Sequence, residues 1–187
     1  MIGSLYDKFV DYSMGGSVWI ISDTHFDDKD CLYMDENWPT PEKYIKTLYS
    51  FVHNKYDTLL HLGDVGNPKY LESIPARKIL ILGNHDKGKN YYKEWFDEVY
   101  DGPIFIGKKI LLSHEPIYGL PFCINIHGHN HNSPETDIFH KNCAANIMNY
   151  KPMNLGKEIK KGLLAKAVYD YGLNYTVIDD KFYTHRP

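Results

Sequence analysis

Three cysteines in 187 residues (Cys31, Cys123 and Cys143) are odd in number, and none stands in CxxC spacing. Neither a disulfide framework nor a thiolate zinc site is therefore expected. Cys123, inside an apolar run, reads as a small core residue. No apolar stretch approaches the roughly 20 residues needed to cross a bilayer. Met1 to Val10 lacks the charged region and apolar core of a secretory leader. These absences predict a cytoplasmic protein without membrane association. Basic sequence is scarce as well: Lys plus Arg number 21 against 24 Asp plus Glu, a net charge of −3, and no four basic residues are consecutive. Strong nucleic-acid binding through a basic surface is not expected. There is no internal repeat, low-complexity tract or linker.

Hydrophobic residues make up 43% and charged residues 24% of the chain, the balance of an ordinary globular protein. The length predicts one domain over residues 1–187 with a substantial core. Five apolar runs each end in a potential metal ligand. Val18-Trp19-Ile20-Ile21-Ser22 leads into Asp23-Thr24-His25, and Leu59-Leu60-His61-Leu62 into Gly63-Asp64. Ile79-Leu80-Ile81-Leu82 leads into Gly83-Asn84-His85-Asp86, Ile110-Leu111-Leu112-Ser113 into His114, and Cys123-Ile124-Asn125-Ile126-His127 into Gly128-His129-Asn130-His131. Short continuous apolar runs read as strands buried on both faces, and the carboxyl ends of such strands line one edge of a sheet. The polar residues therefore converge. Asp, Asn and His together make a mixed oxygen and nitrogen site suited to a divalent transition metal.

Between the runs, Thr40-Pro41 offers a cap and a first-turn proline, and Tyr44, Ile45, Leu48, Phe51 and Val52 recur at helical spacing, predicting a crossover helix over about 41–54. Asn67-Pro68 repeats the start signal before a shorter helix over Lys69 to Ile74, and residues 90–98 offer a third. A weak helical signal runs from Tyr6 to Tyr12. The alternation of strand and helix predicts parallel pairing with right-handed crossovers and an α/β fold. Farther on, Ile138 to Asn146 predicts one or two more strands, and Leu164, Ala167, Val168 and Tyr171 stand at helical spacing. Asn174 to Ile178 and Lys181 to Thr184, joined through Asp179-Asp180, predict a terminal hairpin.

Taken in order, Asp23-x-His25, Gly63-Asp64, Gly83-Asn84-His85-Asp86, His114 and Gly128-His129-x-His131 resemble the signature blocks of the calcineurin-like metallophosphoesterases. Ser22-Asp23-Thr24-His25-Phe26, Ser113-His114-Glu115-Pro116 and Asn149-Tyr150-Lys151-Pro152 look like a small bacterial and phage branch of predicted phosphoesterases. The resemblance implies a two-layered mixed β-sheet sandwich flanked by helices. It also implies that Asp23, His25, Asp64 and His131 hold one metal, and that Asp64, Asn84, His114 and His129 hold the second. The cofactors implied are two divalent transition-metal ions, with Mn foremost and Fe, Zn, Co or Ni admitted by the same ligand types. Two divalent cations against two carboxylates and one hydroxide leave about one net positive charge, which attracts a phosphate ester. Two metals roughly 3.5–4 Å apart acidify a shared water and clamp an in-line displacement, so a bridging hydroxide is the implied nucleophile. His85 is the implied phosphate contact and proton donor, with Asp86 orienting it or raising its pKa.

The expected function is thus a binuclear phosphodiesterase or phosphatase acting on a small, possibly nucleotide-like phosphate ester. The alternatives are a nuclease of the same superfamily, which would want a basic groove, and a catalytically silent metal-binding scaffold. Of ten histidines, five fall in these blocks. His61 reads as a buried, hydrogen-bonded residue, His127, the last residue of a strand, as one that supports the ligands or packs beside them, and His53, His140 and His185 have no assigned role. The sixteen tyrosines read as core and rim packing by default. Gly63, Gly83 and Gly128 stand where the chain must turn sharply at strand exits. Asp27, Asp28 and Asp30 form an acidic cluster after the first block, with Asp27-Asp28 where the branch often has Gly-His. Carboxylates there would repel a second phosphate group.

Overall fold

All five apolar runs form strands in the computed structural model, which describes residues 15–107, 109–120, 123–134 and 137–164 together with the backbone of 174–178 and 181–185. In the first sheet β1 (Val18–Ile21), β2 (Thr58–His61), β3 (Arg77–Ile81) and β4 (Glu98–Tyr100) pair in parallel in the order β4-β3-β2-β1. In the second, β5 (Ile104–Ile106) runs antiparallel to β6 (Ile110–Leu112), which pairs in parallel with β7 (Ile124–His127), and β7 with β8 (His140–Asn142). β9 (Met153–Asn154) returns antiparallel to β1 as the outer strand of the first sheet. The terminal hairpin is present as β10 (Asn174–Ile178) and β11 (Lys181–His185). Two mixed sheets with helices outside match the expected class.

Register explains the apolar runs. Ile20 stands opposite Leu60, and Leu60 opposite Ile79. This row meets Ile104, Ile110, Leu112, Ile124 and Ile126 of the second sheet in one buried cluster. The alternate residues Ile21, Leu59 and Leu80 face the other way, against Tyr44, Leu48, Leu71 and Phe96. Both faces of the first sheet are covered, so its strands carry no polar alternation.

The main crossover helix is α2 (Pro41–Phe51), preceded by a short α1 (Cys31–Met34). Thr40 caps α2 by accepting from Lys43 N at 3.4 Å, with Pro41 in the first turn. It stops three residues short of the expected end, where Asn54 N is taken by the Asp57 side chain at 3.3 Å. The second crossover is a 3₁₀ helix, Pro68–Ser73, capped by Asn67. The third, α3 (Lys89–Tyr92), is a single turn. The rest of the expected helix over 90–98 is a turn, with Trp95 N and Phe96 N bonded to Tyr92 O (both 3.0 Å), and it leads into β4: Asp97 N bonds to Lys78 O at 2.8 Å, and the side chain of Asp97 accepts from Lys78 N at 2.7 Å. Another short helix, α4 (Leu155–Lys160), follows β9. The segment from Tyr6 to Tyr12, and the helical spacing beyond Leu164, lie outside the described residues. Among the described residues no helix is long and apolar enough to cross a membrane.

The sheets meet at a parallel bridge between Ser22 and Ala144, just beyond the carboxyl ends of β1 and β8. Gly128 N bonds to His114 O at 2.8 Å, tying the exits of β6 and β7 together. The exits of β1, β2, β3, β6 and β7 are thereby gathered at one end of the sandwich.

Candidate metal centre

Four of the gathered residues are held in left-handed backbone: Asp23 (φ 55°), His25 (44°), Asp64 (54°) and His129 (65°). For residues other than glycine this conformation costs on the order of 1–3 kcal/mol each and persists only where surroundings enforce it. Here the exits of β1 and β2 are zipped together. Asp23 N donates to Gly63 O (2.9 Å), His25 N to Asp64 O (3.1 Å) and Phe26 N to Val65 O (3.0 Å). Each loop fixes the other, and alternate side chains point inward.

Asp86 provides the second anchor. Its Oδ2 accepts from Asp64 N and Gly83 N (both 2.8 Å), and its Oδ1 from Val65 N (3.0 Å) and Tyr92 Oη (2.8 Å). These four bonds correct the expectation that Asp86 orients His85, which is not among its hydrogen-bond partners. Both oxygens are spent clamping the β2 exit to the β3 exit.

The structure brings the implied ligands into two groups, Asp23 with His25 and His131, and Asp64 with His114 and His129; within each, one donor atom per residue lies within 4.8 Å of the others. His131 Nε2 is 3.4 Å from Asp23 Oδ1. Asp64 Oδ2 stands between the groups, 3.8 Å from His25 Nε2 and 3.4 Å from His114 Nε2. Asn84 Oδ1 lies 2.8 Å from His114 Nε2 and 3.0 Å from His129 Nδ1, which are themselves 3.2 Å apart. Asp23, His25, Asp64 and His114 are buried, whereas Asn84, His85 and His129 are exposed. The cluster has a closed floor of carboxylates and an open face towards solvent.

Three imidazoles have their outer nitrogen engaged. His25 Nδ1 faces Asp28 Oδ2 at 3.1 Å, His114 Nδ1 faces Leu62 O at 2.8 Å, and His131 Nδ1 faces Asn146 Oδ1 at 3.0 Å. With that nitrogen donating, Nε2 is left as a lone pair aimed into the centre, the usual preparation of a metal-binding histidine. His25 Nε2 is buried without a hydrogen-bond partner. A stranded buried nitrogen is costly, and a cation among the converging lone pairs and carboxylates would satisfy it. The residues fit a pair of divalent metals.

Electrostatics agrees. Burial alone would raise the Asp64 carboxyl, yet the hydrogen bond and charge of His114 outweigh it and hold the group down at about 2. Burial likewise opposes charge on His114, but Asp64 and Asp23 lift it to about 9. His131 moves up for the same reason, through Asp23, and Asp23 itself moves down, its burial overcome by His131 and His114. A protonated His114 thus supplies positive charge in the metal-free cluster, and metal binding there at neutral pH must displace that proton.

Asp28 and Asn146 are site residues that the motifs did not reveal. Asp28 is the carboxylate that orients His25, so it is committed to a neighbour and not simply a source of repulsion. Asp27 is turned to Asn67 Nδ2 (2.7 Å) and Tyr70 Oη (3.0 Å). Asn146 carries no sequence signal; the Ser22 to Ala144 bridge delivers it to His131. His127 is buried with Nδ1 2.8 Å from Gly128 O.

His61 is fully buried in a defined neutral form. Gly63 N donates to Nδ1 (3.2 Å), and the Thr24 hydroxyl donates to Val65 O (2.9 Å), so His61 Nε2 donates to Thr24 Oγ1 (2.9 Å). Burial pushes its pKa down to about 4 despite nearby Asp86 and Asp23. The unfolded chain therefore takes up a proton near pH 6.5 that the folded chain refuses until about 4. The stability contributed by neutral His61 is complete above pH 6.5 and is lost as pH falls to about 4, on the order of 3 kcal/mol. Urea unfolding of metal-stripped protein at pH 7 and pH 4.5 should register this loss, and His61→Gln should flatten the dependence in that window. An equally steep dependence in the variant would refute the assignment.

The sequence profile of the calcineurin-like phosphoesterase family matches residues 16–178. No curated protein matches the chain. Among solved structures, a protein of unknown function from Aquifex aeolicus is similar, with 30% identity and a TM-score of 0.66 over 78% of this chain and 98% of that one.

Proposed function

The chain belongs to the calcineurin-like phosphoesterase family, and from that premise we propose that it is a two-metal hydrolase of small phosphate esters. The position of Asp64 carries the proposal. Its Oδ2 faces His25 of one group and His114 of the other, the placement of a carboxylate shared by two cations. Asp23, His25, Asp64 and His131 would hold one metal, and Asp64, Asn84, His114 and His129 the other. Mn is the first metal to test among those that oxygen and nitrogen donors accept. Two such cations supply Lewis acidity and an acidified water for in-line displacement at phosphorus.

The chain's own residues set up the rest. Asp28, Leu62 O and Asn146 hold three imidazoles in the metal-binding tautomer. Asp86 keeps the Asp64 and Asn84 loops in register. His85, whose backbone N donates to Asp64 Oδ1 at 3.0 Å, stands exposed at the open face with its ring centroid 6.0 Å from that of His25. There it is placed to contact the phosphate and give a proton to the leaving oxygen. Buried, unpaired cysteines support a reducing compartment, the cytoplasm.

The test is hydrolysis of bis-p-nitrophenyl phosphate and p-nitrophenyl phosphate by metal-stripped protein resupplied with Mn. Turnover should need the metal. His85→Ala should lose roughly 10²–10⁴-fold with metal content intact, and Asn84→Ala should lose metal as well as activity. Two bound metals with both esters untouched would replace the enzyme reading by the scaffold, and cleavage of DNA in place of the small esters would replace it by the nuclease.

A further inference from the structure

Beside the metal cluster opens a cleft of about 750 Å³, with His129 and His131 on one wall and Asp30, Tyr33 and Met34 of the α1 region on another. The volume falls in the range of small-molecule sites. Around it most aromatic rings are interlocked: Trp38 packs on His25, His131 and Tyr150, and Tyr44 on Phe26 and Tyr150. Tyr33 differs, being 91% exposed. A single exposed tyrosine is ordinary. This one stands on the wall of the cleft that also carries residues from both metal groups.

Charge sets a second condition. The cleft is lined by one carboxylate, Asp30, and by no Lys or Arg. A phosphate beyond the one at the metals would find no cation there and would face Asp30. A nucleic-acid strand, which needs a basic track for its backbone, is disfavoured on the same ground. An uncharged planar group meets neither objection, and the face of Tyr33 offers it a stacking surface.

We propose that this cleft receives the organic group of the ester and that Tyr33 is its stacking platform. The substrate class is then an ester of a single phosphate bearing one flat aromatic or heterocyclic group, of the nucleoside monophosphate kind. This rests on the hydrolase reading above for its phosphate site, and it adds which side of that site carries specificity.

Calorimetric titration of the Mn-loaded protein with AMP, ADP and inorganic phosphate tests it in parent, Tyr33→Ala and Tyr33→Phe. AMP should bind about tenfold or more tighter than phosphate, the scale of one stacked base. ADP should bind no tighter than AMP. Tyr33→Ala should bring AMP down to the level of phosphate while leaving phosphate unchanged, and Tyr33→Phe should keep the preference. AMP no tighter than phosphate, ADP tighter than AMP, or a Tyr33→Ala effect that is absent or equal for all three ligands would each overturn the subsite. Turnover is a separate axis. An AMP preference that depends on Tyr33 in a protein that hydrolyses no ester would sink the hydrolase and leave the subsite standing. Ester hydrolysis with AMP binding indifferent to Tyr33 would do the reverse.

Discussion

Asp64→Asn is expected to empty the metal centre and to lower phosphoesterase turnover by about three orders of magnitude or more. Asparagine keeps the volume and an oxygen to accept from His85 N, now 3.0 Å from Asp64 Oδ1. It removes the charge that both histidine groups face. Loss of one preorganised electrostatic group typically costs 10²–10³-fold, and a carboxylate shared between two cations takes both with it. Metal content by elemental analysis, read beside ester turnover, separates the steps: the variant should retain little or no metal. Two metals and parental turnover in Asp64→Asn would defeat the shared-ligand geometry. The same substitution bears on the metal-free protein. There Asp64 is the leading partner that lifts His114 to about 9, so the His114 imidazole should titrate lower in metal-free Asp64→Asn than in the metal-free parent, as read by NMR.

The second large effect concerns an atom that is not there. A Cβ on Gly128 would lie 1.9 Å from Ser22 Oγ and 2.2 Å from Asp23 Oδ2. Ser22 and Asp23 are both fully buried, so neither can step aside. The backbone that carries His129 must move instead, and with it the two hydrogen bonds from His129 N to Asp23 Oδ1 (3.1 Å) and Oδ2 (3.0 Å). Gly128→Ala should cost about 1–3 kcal/mol, the usual range for overpacking, and should weaken metal binding. Gly88→Ala is the matched control: nothing lies within 4 Å of its added Cβ, and its φ of −60° suits any residue. That change should leave stability within about 1 kcal/mol of the parent, the unfolded-state gain of alanine being offset by its poorer capping at the start of α3. Urea midpoints for the pair, with metal content, decide the matter. Equal stability of Gly128→Ala and Gly88→Ala would mean that the close approach of the β7 exit to Asp23 is not a real constraint.

Legibility differed by element for definable reasons. The strands β1, β2, β3, β6 and β7 were readable because a strand covered on both faces must be apolar throughout. The α2 helix was readable because capping and a one-sided apolar stripe are local. The strands β4, β5 and β9 are two or three residues long, too short to display a period, and they exist only because a neighbour offers a free edge. The third helix, expected over 90–98, ended after one turn at Tyr92 because pairing with β3, which claims the chain from Asp97 onward, outweighed a weak local preference.

In the metal centre the same division holds. Asp23, His25, Asp64, Asn84, His85, His114, His129 and His131 were named from the sequence because each follows a strand, and strand exits share an edge. The role of Asp86 was misread because adjacency to His85 in the chain says nothing about which way a carboxylate turns; it turned to three backbone N–H groups and Tyr92. Asp28 stood out only as a departure from the expected Gly-His, and its bond to His25 arises from the left-handed turn at His25 and Asp27. Asn146 was invisible. By itself, then, the sequence determined the five strands that lead into the cluster, the α/β class and the inventory of donor atoms, since burial and strand-end placement are written in local pattern. Tertiary structure alone decided which oxygen stands between the two histidine groups, which partners fix the imidazole tautomers and where the cleft opens, because those depend on distances between segments that the chain brings together only on folding.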